Sequence, residues 1–252
     1  MRQVLRSRGV DARVVPNGVP RRLLVDLRSV TGPSRRRRTG REVYFKMARW
    51  SAEKGWLQVL DAVAVMKQRG RRPALIARCG GPDSTTGTIG PEASARGLTV
   101  RELDRPAQIA ELGLTNDAGS LADVTHLRFA VSEALARQLY ATADAVLANA
   151  AYEPFGLVGL EAMAAGGLVF TSGTGEDYAV DRHNAAVLET LDPMEIVERS
   201  AEIFASPDRG LGLRTSALET ATCYEWLNLL RAHLLRPEVP NAPKRPLNQS
   251  SP

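Results

Sequence analysis

The chain has 252 residues, 44% of them apolar and 24% charged, a composition that supports one sizeable core or two small ones and excludes disorder throughout. No run approaches the roughly 18 apolar residues of a membrane span. The start, Met1-Arg2-Gln3-Val4-Leu5-Arg6, has no apolar stretch behind its charges, so a cytoplasmic protein is expected. The net charge of +5 is uneven: residues 1–50 carry 14 basic residues against Asp11, Asp26 and Glu42, a net +11, which leaves −6 for the remainder. Cys79 and Cys223 lack CxxC spacing and are expected to be buried thiols, without a disulfide framework or zinc knuckle. His126, His183 and His233 show no ligand spacing and are expected to be structural or surface residues, with no metal site.

In chain order, Val14-Val15 before Pro16-Asn17-Gly18 predicts a short strand ending in a turn, and residues 19–40 read as a basic loop. Glu42 to Ala48 alternates like a strand. Ser51 to Gly55 turns into a helix over 56–69 whose Trp56, Leu60, Val63 and Ala64 form a core stripe, with Gly70 ending it. Ala74 to Ala77 is a second strand, residues 83–100 read as a loop, and a helix is placed at 105–112. Leu127 to Val131 predicts a strand, and Ser132 the N-cap of a helix to about Thr142. Ala145 to Leu147 is a buried strand. Glu153-Pro154-Phe155-Gly156 opens a helix with Pro at N1 that runs to about Ala165, and Gly166-Gly167 caps it before the strand Leu168-Val169-Phe170. Two helices follow at 192–205 and 215–235. Trp226, Tyr224 and Leu230 are assigned to the packing face of the last one, and the Pro-punctuated tail 237–252 is expected to be disordered. Alternating strands and helices point to an α/β domain with a largely parallel sheet.

Such sheets bind ligands at the carboxyl ends of their strands, where helix N-termini favour phosphate. Two places fit: the Ala48-Arg49 strand end with Lys54 behind it, and Glu153 to Gly156. Arg49 offers a bidentate fork and Lys54 a mobile point charge, a pairing suited to a diphosphate. Glu153 and Glu161, before and two turns inside one helix, either accept sugar and ribose hydroxyls in a shared cleft or offset the helix dipole and face solvent.

Asn17-Gly18-Val19, Arg49 with Lys54-Gly55, Asp144 before an apolar strand, and the string Glu153-Pro154-Phe155-Gly156-Leu157 through Glu161-Ala162-Met163-Ala164-Ala165-Gly166 choose between these readings. From about residue 10 to about 235, the chain resembles the C-terminal, donor-binding domain of the GT-B retaining glycosyltransferases of family four. The resemblance implies a Rossmann-like parallel sheet over 1–236 and a nucleotide diphosphate sugar as donor, bound without a metal or other cofactor. It implies that Arg49 and Lys54 hold the diphosphate, that Glu153 meets the donor sugar, and that Glu161 holds the ribose. Backbone amides at Phe155, Gly156 and Leu157 would meet the β-phosphate, and the loops after Arg78 and after Phe129, including Val131, would flank the base. The chain differs from the usual pattern at Ala48, at Ala148-Asn149 and near Thr174-Gly175-Glu176.

The resemblance also implies that the N-terminal acceptor-binding domain is missing. The alternative reading is therefore a non-catalytic nucleotide-sugar binding remnant, or the subunit of a split enzyme whose acceptor domain is a partner chain. The run Arg35-Arg36-Arg37-Arg38 is read first as a solvated insertion, and second as a peripheral contact with anionic lipid at about 1 kcal/mol per basic residue. Nucleic-acid binding ranks last, since no aromatics interleave with the arginines. A dinucleotide-dependent oxidoreductase is disfavoured because no GxGxxG follows a strand.

Overall fold

The computed structural model describes residues 7–9, 15–31, 40–80, 89–112, 122–173 and 177–234. Seven strands, β1 (Glu42–Ala48), β2 (Pro73–Cys79), β3 (Val100–Leu103), β4 (Val124–Leu127), β5 (Ala145–Leu147), β6 (Val169–Ser172) and β7 (Ala186–Leu188), form one sheet in the order β3-β4-β2-β1-β5-β6-β7. All pairs are parallel. Eight helices accompany it among the described residues: α1 (Leu27–Thr31), α2 (Trp56–Gln68), α3 (Ile89–Ala95), α4 (Glu133–Thr142), α5 (Leu157–Ala164), α6 (Pro193–Phe204), α7 (Pro207–Cys223) and α8 (Trp226–His233).

A parallel sheet covered on both faces needs strands that are apolar throughout. Strand β2 is buried at every position, and the strand alternation sorts side chains between two cores. Phe45, Ile76 and Val146 point to a core shared with Tyr140 of α4 and Leu160 of α5. Their neighbours Tyr44, Leu75 and Ala145 point to a core shared with Trp56, Leu60 and Val63 of α2 and Ile196 of α6. The predicted α2 stripe is thus the core stripe.

The chain leaves β1 for β2 on one side and later returns to lay β5 on its other side. The carboxyl ends of β1 and β5 therefore flank the topological switch point of the sheet, the usual ligand crevice of this architecture. Asp144 fixes the opposite ends of the same two strands: its Oδ2 accepts from the Val43 amide at 2.7 Å, and its own amide donates to the Val43 carbonyl at 2.8 Å.

Several elements differ from the sequence expectation. Residues 15–18 are not a sheet strand; Val14 lies outside the described residues. The segment instead docks on the start of α8, with the Val19 amide donating to the Tyr224 carbonyl at 2.9 Å and the Trp226 amide to the Val19 carbonyl at 3.1 Å. Gly18 lies so close that an added Cβ would stand 2.7 Å from Leu229 Cδ1. Within the expected loop 19–40, a 3-10 turn at Arg21–Leu23 and helix α1 bury Leu23 and Val30. The run Arg35–Arg38 lies outside the described residues, as does the tail 237–252.

The expected loop 83–100 contains α3 and β3, because Ile89 and Ala93, one turn apart, both reach the core, and Pro91 sits in the first helical turn where no N–H partner is needed. The helix placed at 105–112 is a 3-10 helix, Pro106–Leu112. Strand β4 lies three residues earlier than expected, since pairing with both β2 and β3 buries Val124 to Leu127 and ends at exposed Arg128. The expected helix 215–235 is α7 and α8, separated at Tyr224-Glu225 where the chain bridges Val19. Cys223 is exposed at the end of α7. On α8 the packing residue is Leu229, while Trp226 and Leu230 are each 39% exposed. Strand β7 has too short an apolar run to register as a strand.

Gly55 joins the turn at Ala52–Lys54 to α2 with φ 62°, and a Cβ there would collide with the Asn149 side-chain amide. Gly70 has φ 75° but open space around it. Gly55→Ala is expected to lower stability by about 2–3 kcal/mol and Gly70→Ala by about 1 kcal/mol, the difference being the collision; paired urea denaturation curves measure both.

Candidate functional site

A cleft of about 270 Å³ opens between the carboxyl ends of β1 and β5, walled by the lead-in to α5. It is lined by Arg49, Lys54, Glu153, Phe155, Gly156 and Leu157 among others, so six of the residues singled out in the sequence meet in one place. Lys54 Nζ donates to Glu153 Oε2 at 2.5 Å, and the two side chains are only 15% and 24% exposed. The Arg49 side chain is exposed at the cleft rim, while its carbonyl accepts from Trp56 Nε1 at 2.8 Å, which ties the strand end to α2.

The floor of the cleft holds a residue the sequence reading did not select. Lys46 is 1% exposed, and its ammonium donates to the Leu147 carbonyl (3.2 Å), the Asn149 carbonyl (2.9 Å) and Asn149 Oδ1 (2.8 Å), with the Trp56 ring 5.3 Å away. Asn149 in turn donates to Gln58 Oε1 at 2.8 Å. A lysine inside an otherwise apolar strand, Tyr-Phe-Lys-Met, was the available signal, since a buried cation requires several acceptors around it.

Pro154 is not at N1 of α5, as the sequence suggested. Gly156, with ψ 73°, is the N-cap, and the stretch before it is bent. The bend is held from outside the motif: the Tyr178 hydroxyl donates to the Gly156 carbonyl, and its ring lies against Phe155 and Tyr224, each with centroids 5.8 Å away. Asn184 Nδ2 donates to the Tyr178 carbonyl at 2.8 Å. The Leu157 amide donates to the Phe155 carbonyl at 2.9 Å, so this one of the three expected phosphate donors is engaged internally. No motif spacing marks Tyr178, which comes from a distant loop.

Glu161 does not line the cleft. It lies on the α4 side of α5, where Tyr140 Oη donates to Glu161 Oε2 at 3.3 Å. Burial raises its pKa; the Tyr140 hydrogen bond opposes this, and the nearby Glu133 charge adds to it. Arg78 is buried, with its guanidinium donating to the Cys79 and Gly80 carbonyls at 2.7 and 3.0 Å. Phe129 and Val131 are half-buried against the same core as Phe155. Arg78 lies at the carboxyl end of β2, and Phe129 and Val131 lie between β4 and α4; like Glu161, none of them lines the cleft. His126 is buried between Cys79 Sγ (3.0 Å from Nε2) and Glu102 Oε1 (3.5 Å from Nδ1). Burial lowers the histidine pKa and pushes the thiol up to about 11, so this pair is uncharged near neutral pH. Among the described residues, no group of His, Cys, Asp and Glu is placed to hold a metal ion, and no helix is long and apolar enough to cross a membrane.

The sequence pattern of one family, described as glycosyl transferases group 1, matches residues 32–218. The chain belongs to that family. No curated protein sequence matches this group 1 chain, but its fold recurs widely among solved structures. HepE from Anabaena, solved with UDP and glucose, is 20% identical with a TM-score of 0.60; the alignment covers 89% of this chain and 56% of HepE. Sucrose-phosphate synthase from Thermosynechococcus elongatus is 22% identical with a TM-score of 0.63, covering 92% of this chain and 54% of that one. The C-terminal domain of the group 1 glycosyltransferase LpcC from Francisella tularensis is 16% identical with a TM-score of 0.60; 83% of this chain aligns with 100% of that domain. The group 1 chain thus spans about half the length of the first two relatives and has the fold of the C-terminal half of a GT-B glycosyltransferase.

Because folding raises the Glu161 pKa, the stability this group contributes is complete below its ordinary value of 4.5 and is lost as pH rises through the folded value. Glu161→Gln is therefore expected to raise the melting temperature at pH 8 more than at pH 4. Thermal melts at the two pH values read this directly, and an equal shift at both would contradict the burial argument.

Proposed function

We propose that this chain is the donor-binding domain of a retaining glycosyltransferase of family four, and that it binds a nucleotide diphosphate sugar in the cleft between β1 and β5. The observation that carries this is the meeting of Arg49, Lys54 and Glu153 at the switch point, next to the N-terminus of α5. Two cations and a helix start suit a diphosphate; a carboxylate beside them suits sugar hydroxyls. The solved complexes of HepE with UDP-glucose and UDP support the choice of ligand class.

In this reading Arg49 and Lys54 hold the two phosphates in place of a metal. The bond between the sugar carbon and the β-phosphate oxygen breaks, and the charge that gathers on that oxygen is stabilised by positioned cations and amides. An acceptor hydroxyl, presented by a second domain or chain, then bonds to the sugar carbon with retention of configuration, and its proton passes to the released phosphate oxygen. Glu161, on the same helix as Leu157, holds the ribose hydroxyls where the nucleoside extends past the cleft, with Tyr140 keeping its carboxylate in place. The segments at Arg78, Phe129 and Val131 flank the base.

Calorimetric titration with UDP, GDP, ADP and their glucose conjugates tests the reading. One nucleotide is expected to bind saturably. Arg49→Ala should weaken the diphosphate by about tenfold or more, as a charged hydrogen-bond donor is lost, and leave the parent nucleoside unaffected. A folded chain that binds none of these ligands at millimolar concentration would overturn it.

A further inference from the structure

The ion pair inside the cleft leads beyond nucleotide-sugar binding to a choice between sugar-loaded and spent nucleotide. Lys54 and Glu153, 99 positions apart in sequence, meet at 2.5 Å with little solvent exposure. A pair so placed is not an incidental surface bridge. It brings to one point the cation assigned to the diphosphate and the carboxylate assigned to the sugar, so a phosphate oxygen that takes Lys54 competes directly with Glu153.

The outcome of that competition depends on what else the ligand carries. A nucleotide sugar brings hydroxyl groups that donate to the carboxylate and replace what Glu153 loses on giving up Lys54. A bare nucleoside diphosphate brings no such donor. It ends instead in a terminal phosphate with more negative charge, facing an unpartnered carboxylate across a half-enclosed cleft, where the repulsion is stronger than in bulk water. We infer that Glu153, through its pair with Lys54, is a specificity-determining residue that selects nucleotide sugar over free nucleoside diphosphate. This rests on the donor-site reading above.

The same arrangement works in reverse after transfer. Once the bond from sugar carbon to β-phosphate oxygen is broken, the electron pair of that bond stays on the phosphate and the hydroxyls leave with the sugar. Glu153 then regains Lys54 at the expense of the spent nucleotide. Without this exchange the strongest contacts in the cleft, those to the diphosphate, would be kept by the product.

The test compares Glu153→Gln with the parent chain by calorimetry, using each of UDP, GDP and ADP alongside its glucose conjugate. The substitution is near-isosteric and removes only the charge. Because the cleft is open to water and screens the pair in part, the bare diphosphate is expected to bind about three- to tenfold more tightly to the variant, while the glucose conjugate binds no better than to the parent. Glu53→Gln, which removes a nearby carboxylate not paired with Lys54, is expected to leave the ratio of the two affinities unchanged. If Glu153→Gln does not fold by circular dichroism, Glu153→Ala carries the same expectation. Unchanged or weaker diphosphate binding in a folded variant overturns the inference while leaving the donor site standing, and an equal gain in Glu53→Gln overturns it in favour of a general charge effect. Absence of any nucleotide binding by the parent chain overturns the donor-site reading and this inference with it.

Discussion

A buried ammonium group governs the layout of the cleft. Lys46 sits in the central strand with almost no solvent access, so its charge must be met by oriented oxygens, and these come from Leu147 and Asn149 at the end of the adjacent strand. Meeting that requirement fixes the separation of the β1 and β5 ends. Asn149 extends the constraint to α2 through Gln58, and Gly55 must be a glycine because the Asn149 side chain occupies the space a Cβ would need. The turn that carries Lys54 lies between these fixed points. The Asn149 side chain supplies one of the three acceptors that Lys46 needs.

Two kinds of fixation meet at the site. On the β1 side it is polar and buried, from Lys46 and Asn149. On the α5 side it is aromatic, with Tyr178 holding the Gly156 carbonyl and packing against Phe155. Between them Arg49 and Lys54 remain at the surface of the cleft, on short loops whose backbones are tied down. The Trp56 indole bond to the Arg49 carbonyl and the Ala151 amide bond to the Glu53 carbonyl, at 2.8 and 2.7 Å, show how firmly. Charged side chains on a tied-down backbone have a defined reach.

What was legible in the sequence follows from the range of the interactions involved. Strand β1, helix α2, the Ser132 cap and β5 depend on local pattern and capping chemistry, and the Ser132 hydroxyl accepts from the Leu135 amide as its position implied. The charged members of the cleft were legible because strand-end chemistry and a dense motif mark them. Elements settled by distant partners were not. Val15 reads as the end of a strand although the segment after it docks on α8, β4 takes its register from two neighbours, and the division between α7 and α8 is set by Val19 from the other end of the chain. Tyr178 and the Lys54–Glu153 pair belong to this second class, since no local pattern states which distant side chains will touch.

The bridge between Val19 and Glu225 ties an early segment of the chain to α8, the last helix among the described residues. With Gly18 pressed against Leu229, neither segment keeps its packing if the other lifts away. The two ends of the fold therefore form one cooperative unit, opening and closing together. Anything joined to one of them bears mechanically on both.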